Sequence, residues 1–275
     1  MSTNIAAVAS VAPTSAERAE TDRLARTLDE AELLGTPIVQ PSAERALGLD
    51  AAYAVQRALV ARRVARGERV VGLKLGFTSR EKARQMGVDD VIIGTLTDAM
   101  RIDDGGRVPA GRGIHPRVEP ELAFLLGPAA ADPSADPSTA MVAVAPALEV
   151  IDSRYRDFRF DLGDVVADDA SASAFAIGPW RAAGETGPID NRAVALEFGG
   201  RAVATGSTAA ILGDPVRAVA AALRLARAHR LDLRDGMILL AGAATAAVPM
   251  PPSGAVSAEV HGLGRVVVHV GEEAS

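Results

Sequence analysis

The chain of 275 residues contains no cysteine. This absence excludes disulfide bonds, thiolate metal sites and cysteine nucleophiles. It fits a reducing compartment, so we expect a cytoplasmic protein. The first residues, MSTNIAAVASVAPTSAE, also lack the basic start and the long apolar run that signal peptides carry.

Long apolar runs are absent from the rest of the chain as well. No stretch reaches about 18 uncharged apolar residues, so we expect neither a membrane-spanning helix nor a membrane partner. The formal net charge of -6 argues against a nucleic-acid partner. None of the 4 histidines has zinc-ligand spacing, and the serine-hydrolase, P-loop and dinucleotide-binding motifs are missing. These absences exclude several common functions.

The pattern of apolar residues divides the chain into three parts. We predict a disordered tail at residues 1–13, a helical segment at 14–67 and a β-rich domain at 68–275. Short apolar runs mark the β-rich domain: ELAFLLG, AVALEFGG, GMILLAG and GRVVVHVG. Strands and helices do not alternate regularly, so a doubly wound fold is not indicated.

Capping residues indicate where the helices begin. Thr14 has capping-box spacing to Glu17, and Asp50 is predicted to cap a second helix. A short helix is expected over residues 79–87. A later helix, in DPVRAVAAALRLARAHR, is predicted to have Asp214 as its N-cap.

Two carboxylates occur inside an apolar, strand-like segment, RVEPELAFLLG. Residues two apart on a strand share a face, so Glu119 and Glu121 are predicted to be neighbours. Carboxylates held that close repel one another unless a cation lies between them. Oxygen ligands favour Mg²⁺, with Mn²⁺ as a substitute. The alternative is an exposed edge strand whose acidic side chains face solvent.

Other polar residues lie in similar apolar surroundings. Glu149, in VAPALEVIDSRY, is either a ligand of the same cation or a structural acid paired with Arg154. Lys74, in VGLKLGF, either stabilises an anionic substrate or enolate or lies on the exposed side of an edge strand. Ser171, in DVVADDASASAFAIG, is either a substrate contact or part of a turn.

These segments, taken in order, resemble the hydratase/decarboxylase branch of the fumarylacetoacetate hydrolase superfamily. The blocks that carry the resemblance are VVGLKLGFTSREKARQMGVDDVIIGTLTDAM, IHPRVEPELAFLLG, PALEVIDSRYRDFRFDLGDVVADDASAS, ILGDP and LLAGAATAAVPM. The resemblance implies an α+β fold, with N-terminal helices followed by a mixed, largely antiparallel β core of the fumarylacetoacetase C-terminal type. It makes residues 68–275 the catalytic domain.

The resemblance also implies roles for single residues. The metal motif of the family falls on Glu119, Glu121 and Glu149, which implies Mg²⁺ as cofactor, and the family lysine falls on Lys74 as a catalytic residue. The implied substrate-binding residues are Leu75, Thr78, Asp98, Ser171 and Thr245. The chain departs from the pattern by carrying Asp169 where asparagine is usual, Asp214 where histidine is common, and Ala241-Gly242-Ala243-Ala244-Thr245 in place of T-G-G-x-T.

Two activities of this branch are hard to separate by sequence. GLKLGFTS, IHPRVEPE and VIDSRYRDFRFDL resemble the decarboxylases more closely. They imply metal-dependent conversion of 2-oxo-3-hexenedioate (4-oxalocrotonate) to 2-hydroxypenta-2,4-dienoate in meta-cleavage catabolism of aromatic compounds. The alternative is a 2-oxopent-4-enoate hydratase, which uses the same metal and enolate chemistry.

Two further alternatives belong to other classes. One is a non-catalytic partner subunit, against which the intact glutamates and lysine argue. The other is a hydrolase of a C–C bond in a diketo acid, which needs a general base such as His115, expected here in a turn. The resemblance implies a 2-oxo dicarboxylate as the small-molecule partner, a homo-oligomer, and a complex with the hydratase of the pathway.

Overall fold

The computed structural model describes residues 12–79, 90–109, 111–132 and 135–271. Nearly all of the predicted N-terminal tail and of the short helix expected over residues 79–87 lies outside these ranges. No helix in the described part of the chain is long and apolar enough to cross a lipid bilayer.

Strands outnumber helices in the described ranges. The helices are α1 (Ser15–Leu34), α2 (Leu49–Ala65), α3 (Pro137–Ala140), α4 (Leu162–Ala167) and α5 (Val216–His229). The strands are β1 (Val70–Gly76), β2 (Ile92–Thr97), β3 (Arg101–Ile102), β4 (Arg107–Val108), β5 (Arg117–Leu126), β6 (Met141–Ile151), β7 (Ala172–Ile177), β8 (Arg181–Ala182), β9 (Ala193–Phe198), β10 (Arg201–Ser207), β11 (Ile238–Ala243), β12 (Val248–Pro249), β13 (Gly254–Val260) and β14 (Gly264–Val270).

The capping predictions have different outcomes. Thr14 and Glu17 form the predicted capping box at the start of α1. The prediction for Asp50 is wrong, because α2 begins after Gly48 and places Asp50 within its first turn. There the acidic side chain still favours the positive end of the helix dipole. The N-cap position of α5 falls on Pro215, so the prediction for Asp214 is wrong by one residue, although Asp214 still accepts the N–H of Val216 at 3.0 Å.

The strands form two sheets. The larger follows the order β2-β1-β11-β5-β6-β7-β3, with β12 beside β5 and β8 beside β6, and the smaller follows β10-β9-β13-β14-β4. Three pairs, β1 with β11, β3 with β7 and β4 with β14, are parallel. The central β5–β6 pair and most others are antiparallel. This architecture confirms the predicted α+β class and the mixed, largely antiparallel core.

Side-chain alternation gives β5 and β6 two different faces. On one face, Val118 and Val150 pack against the smaller sheet, and Leu122 packs against the helices. On the other face, Ala123 and Ala147 belong to a separate, small apolar cluster. The three candidate glutamates share the odd numbering of these alanines, so they lie on this second face.

Candidate active site

Three glutamates meet at the β5–β6 pair. Glu119 lies directly opposite Glu149, and Glu121 follows two residues later on the same face. One carboxylate oxygen from each lies within 4.8 Å of the other two. Only 6% of Glu119, 1% of Glu121 and 0% of Glu149 is exposed. The alternative of an exposed edge strand with solvated acids is therefore wrong.

Burial makes the charged form of two of these carboxylates, Glu121 and Glu149, unfavourable. It raises the pKa of Glu121 well above its ordinary value, and Glu149 and Glu119 raise it further by repulsion. Burial also raises the pKa of Glu149, although Lys74 acts in the opposite direction. One oxygen of Glu121 accepts the N–H of Gly242 at 2.9 Å. Within the described residues, Oε1 of Glu121 and Oε2 of Glu149 accept no hydrogen bond. This donor set fits a hard divalent cation, which takes carboxylate oxygens as ligands.

Lys74 places a positive charge beside the three carboxylates. It lies on β1 between β2 and β11, so the alternative of an edge-strand lysine is wrong. Its Nζ is 2.7 Å from Oε1 of Glu149 and donates to the carbonyl of Ala170 at 3.0 Å. Burial disfavours the charged form, but the carboxylates of Glu149, Glu119 and Glu121 outweigh burial and raise the pKa of Lys74. The side chain is therefore a buried ammonium.

The carbonyl that accepts from Lys74 belongs to a strained segment. Asp169, Ala170 and Ser171 have φ values of 51°, 52° and 58°. Each such left-handed residue other than glycine costs about 1–2 kcal/mol. Gly94 of β2, which pairs with Lys74, gives this segment its room. A Cβ at Gly94 would lie 2.7 Å from the carbonyl oxygen of Asp169 and 3.1 Å from Cγ of Lys74.

A buried ionic network fixes the same segment. The carboxylate of Asp168 accepts the N–H of Arg154 and the hydroxyl of Ser171, each at 3.2 Å. The guanidinium of Arg154 lies 3.4 Å from Asp168 and 2.8 Å from Glu32 of α1. Arg154 therefore pairs with these two acids, and the alternative that it pairs with Glu149 is wrong.

The two neighbouring aspartates of this segment titrate near neutral pH. Burial raises the pKa of Asp169 to about 7, against the opposing effect of the N–H that Thr95 donates to it. Burial also raises the pKa of Asp168 to about 7, against the opposing effect of Arg154. Asp169 is the residue that replaces the usual asparagine of the family pattern.

Two of the residues predicted to bind substrate lie near the glutamates. Thr78 is so close to Gly242 that a Cβ on the glycine would lie 2.1 Å from the threonine hydroxyl oxygen. Gly242 also donates to Glu121. Thr245 lies two residues after Ala243, which pairs with Glu121 across β11 and β5. Both threonines thus belong to the segments that surround Glu121.

Two further residues predicted to bind substrate, Leu75 and Asp98, do not have their side chains beside the glutamates. The side chain of Leu75 lies on the face of β1 opposite Lys74 and packs in the helical core, so only its backbone adjoins the site. Asp98 lies four residues beyond Gly94, the partner of Lys74, and four strand residues span about 13 Å. Its carboxylate accepts from the backbone and guanidinium of Arg69 at 2.9 and 2.8 Å.

Sequence reasoning missed three contributors to this arrangement. Gly94 interrupts the apolar strand IIGTLT, and a glycine inside a strand often marks a close backbone approach, which was a usable signal. The carbonyl of Ala170 had no such signal, because an alanine gives no indication of a left-handed backbone. The partners of Arg154 are distant in sequence, so their pairing was not readable.

The assembled site has a defined chemical character. Three converging carboxylates can hold a divalent cation, and a buried ammonium lies directly beside them. With a cation held by the glutamates, such a site would stabilise negative charge on a ligand oxygen, because Lys74 adds a second, fixed positive group in a dry environment. Fold and site together are typical of metal-dependent enzymes that stabilise negative charge on a ligand oxygen.

Known proteins share both the sequence and the fold, although no family model matches the chain. A 4-oxalocrotonate decarboxylase from a Pseudomonas species is 48% identical over 245 residues, which cover 88% of this chain and 94% of the relative. A 2-keto-4-pentenoate hydratase from Burkholderia vietnamiensis strain G4 is 36% identical over 249 residues, covering 88% and 94%. The solved structure of 4-oxalocrotonate decarboxylase from Pseudomonas putida G7, complexed with magnesium and adipate, matches with a TM-score of 0.85 and 35% identity over 92% of this chain and 98% of that one.

These similarities extend over nearly the whole length of the relatives. The chain belongs to the hydratase/decarboxylase family of the fumarylacetoacetate hydrolase superfamily, which includes 4-oxalocrotonate decarboxylases and 2-keto-4-pentenoate hydratases. The resemblance inferred from the sequence is thereby confirmed.

Proposed function

We propose that the protein catalyses the decarboxylation of 4-oxalocrotonate (2-oxo-3-hexenedioate) to 2-hydroxypenta-2,4-dienoate. The observation that carries this proposal is its 48% identity to a decarboxylase, compared with 36% to a hydratase of similar coverage. The buried glutamates and Lys74 supply the chemistry that the reaction needs. The activity makes the protein a carboxy-lyase of meta-cleavage aromatic catabolism.

The glutamates are the residues that would hold the metal. Glu119, Glu121 and Glu149 supply oxygen ligands only, which suits Mg²⁺ and allows Mn²⁺ as a substitute. The magnesium named in the related solved structure supports this choice. When bound, the ion supplies a Lewis acid for the 2-oxo group and the adjacent carboxylate.

The charge movement of the reaction identifies the role of Lys74. Loss of CO₂ breaks the C5–C6 bond, and its electron pair moves through the conjugated system to the 2-oxo oxygen. The dienolate then takes up one proton on oxygen to give the dienol product. Lys74 is a fixed ammonium beside the triad, so it stabilises this oxygen charge as it develops. The carbonyl of Ala170 holds the ammonium in place.

The remaining candidate substrate contacts differ in the groups that they can offer to a ligand. Thr78 and Thr245 lie around Glu121 and offer hydroxyls to the substrate. Ser171 lies next to Ala170, but its hydroxyl already bonds Asp168, so its contribution is to hold the segment. Leu75 contributes through its backbone.

The decisive test supplies two substrates to the purified protein with Mg²⁺. We expect CO₂ release from 2-oxo-3-hexenedioate and no turnover of 2-hydroxypenta-2,4-dienoate. The reverse pattern would show that the protein is a hydratase, the candidate that the 36% identical relative supports. Both reactions are followed by ultraviolet absorbance, because each changes the conjugation of its substrate.

A non-catalytic role is tested by a single substitution. Glu119→Gln keeps the size of the side chain but removes a ligand charge, so it should abolish metal-dependent turnover. If the activity of a complex with the hydratase survived this change, the chain would be a supporting subunit.

We also propose an assembly and a location. The proposal includes a homo-oligomer, a complex with the hydratase of the pathway, and the cytoplasm as the compartment. Residues 68–275 are proposed as the catalytic domain, with 14–67 as a helical segment that supplies Glu32 to the ionic network. Light scattering of the protein alone and mixed with the hydratase tests the assembly, and cell fractionation tests the location.

A further inference from the structure

The face of β5 that carries the glutamates opens toward solvent at one end. Along this face, Ala123 is 0% exposed, Glu121 1% and Glu119 6%, whereas Arg117 is exposed. These four residues are spaced two apart along the strand, so their side chains lie on the same face. Arg117 is therefore the residue of β5 at the solvent end of the glutamate face.

Neighbouring groups give Arg117 a defined position. Its guanidinium lies over the ring of Phe158, 4.6 Å from the ring centre, and His115 packs against the same ring at 4.5 Å. Phe158 and the preceding Asp157 have positive φ values of 53° and 59°. Asp152 holds the backbone of His115 by accepting its N–H at 2.8 Å. The aromatic ring is thus presented to the arginine by a strained, hydrogen-bonded loop.

Within the part of the chain that the structure describes, the charge of Arg117 is not paired with an acidic side chain. Among the described residues, no carboxylate forms a salt bridge with it at 4.0 Å or less. Arg156, Asp157 and Arg159 are exposed on the same loop as Phe158, so the exposed charges of this loop are net positive. A guanidinium stacked on an aromatic face keeps its N–H edge available for a carboxylate, which it binds in a bidentate way.

The spacing suits a short ligand with a charge at each end. Two residues along a strand span about 7 Å, which is the scale of an extended six-carbon dicarboxylate. One end of such a ligand would lie at the glutamates and the other at Arg117. A monocarboxylate of the same length would leave Arg117 unused.

We propose that Arg117 binds the second carboxylate of a dicarboxylate substrate and so determines the preference for dicarboxylates over monocarboxylates. The proposal rests on the proposed function, since the acid lost in decarboxylation is this second carboxylate. It also gives a physical reason for a decarboxylase rather than a hydratase specificity, because the hydratase substrate has no second carboxylate.

The direction in which negative charge moves during the reaction determines whether Arg117 affects KM or kcat. During loss of CO₂ the negative charge leaves the carboxylate at Arg117 and appears on the oxygen beside Lys74. Arg117 therefore stabilises the ground state more than the transition state, and its contribution falls on substrate binding. Arg117→Gln should raise KM for 2-oxo-3-hexenedioate about tenfold and leave kcat unchanged or slightly higher.

A binding experiment tests the proposal independently of turnover. Isothermal titration in the presence of Mg²⁺ compares adipate with hexanoate, which has the same length and one carboxylate. The wild type should prefer adipate by about tenfold, and Arg117→Gln should lose this preference. Arg201→Gln, which removes an exposed arginine from the edge strand β10, is the charge-matched control and should keep it. Arg117→Lys keeps the charge without the bidentate fork and should give an intermediate preference.

Several outcomes would overturn the assignment. These are a wild type without a preference for adipate, a preference that survives Arg117→Gln, or its loss in Arg156→Gln instead. Failure of the proposed function gives a different result: no CO₂ release, with the adipate preference and its dependence on Arg117 intact. The two hypotheses are therefore separable in the same set of proteins.

Discussion

At the scale of single residues, the charge of Lys74 depends on its neighbours. The side chain is 2% exposed, and burial alone would favour the neutral amine. The nearby carboxylates keep it protonated, and the carbonyl of Ala170 fixes its direction. A positive group held in this way needs no rearrangement when negative charge develops on a ligand oxygen.

Replacing this ammonium should affect the chemical step more than metal binding. Lys74→Met removes the charge and keeps most of the volume, so kcat should fall by about 10²–10³-fold. Mg²⁺ affinity should be retained or increased, because a cation no longer competes for the carboxylates. Steady-state kinetics and isothermal titration with Mg²⁺ measure the two effects.

Asp98→Asn is the matched control for that experiment. Asp98 bonds Arg69 at a distance from the glutamates, so this variant should keep nearly full kcat. If kcat fell as much in Asp98→Asn as in Lys74→Met, Asp98 would contact the substrate after all, and its role would not be limited to binding Arg69.

Strand alternation explains which residues could be assigned from the sequence. It placed Glu119 and Glu121 on one face correctly, because a period of two is a local property. The same rule applied to β1 would have put Leu75 opposite Lys74. Glu119 meets Glu149 only because β5 and β6 pair in one particular register. The sequence shows how long the connection between these strands is, but it does not show the geometry that sets this register.

At the scale of elements, β2 and the left-handed segment are fitted to one another. Gly94 lets the carbonyl of Asp169 and the stem of Lys74 approach the backbone of β2. The left-handed conformation of three successive residues without glycine was not predictable, because their local preference is against it. Hydrogen bonds from Thr95 and Arg154, which are distant in sequence, compensate for that strain.

Adding a methyl group at Gly94 should therefore disturb the site. Gly94→Ala places Cβ 2.7 Å from the carbonyl of Asp169, so the segment or Lys74 must move. We expect a loss of about 1–3 kcal/mol in the free energy of unfolding. A displacement near 1 Å should also lower kcat by about a hundredfold. Gly184→Ala, which meets no atom within 4 Å, is the control and should change neither quantity. Full activity in Gly94→Ala would show that Lys74 does not depend on this packing.

At the scale of the whole molecule, buried acids make stability depend on pH. Asp169 has a pKa of about 7 in the folded protein, compared with a reference value of 3.8. The folded state thus binds its proton more tightly than the unfolded chain does. This contribution to stability is complete below about pH 4 and is lost as the pH rises through about 7.

Asp169→Asn should remove the loss of stability that accompanies ionisation of Asp169. The amide cannot ionise, and its oxygen still accepts the N–H of Thr95. We expect a higher Tm than the wild type at about pH 8 and a similar Tm at about pH 4, measured by thermal melting in matched buffers. Asp168→Ala is the contrasting variant, because it removes the acceptor of the bonds from Arg154 and Ser171 and should lower Tm at both pH values. Equal melting of Asp169→Asn and wild type at both pH values would contradict the assigned pKa.

Metal binding should also change how the stability of the protein depends on pH. The raised pKa values of Glu121 and Glu149 mean that the metal-free protein loses stability as these acids ionise with rising pH. A divalent cation binds the ionised carboxylates, so the rise in Tm on adding Mg²⁺ should be larger at about pH 8 than at about pH 5. A chelator should reverse this rise in Tm and abolish turnover.

In Glu121→Gln the Mg²⁺-dependent rise in Tm should largely disappear, because one ligand charge is lost and the repulsion that the ion relieves is smaller. A rise in Tm that persists unchanged in Glu121→Gln would mean that the ion binds elsewhere in the molecule.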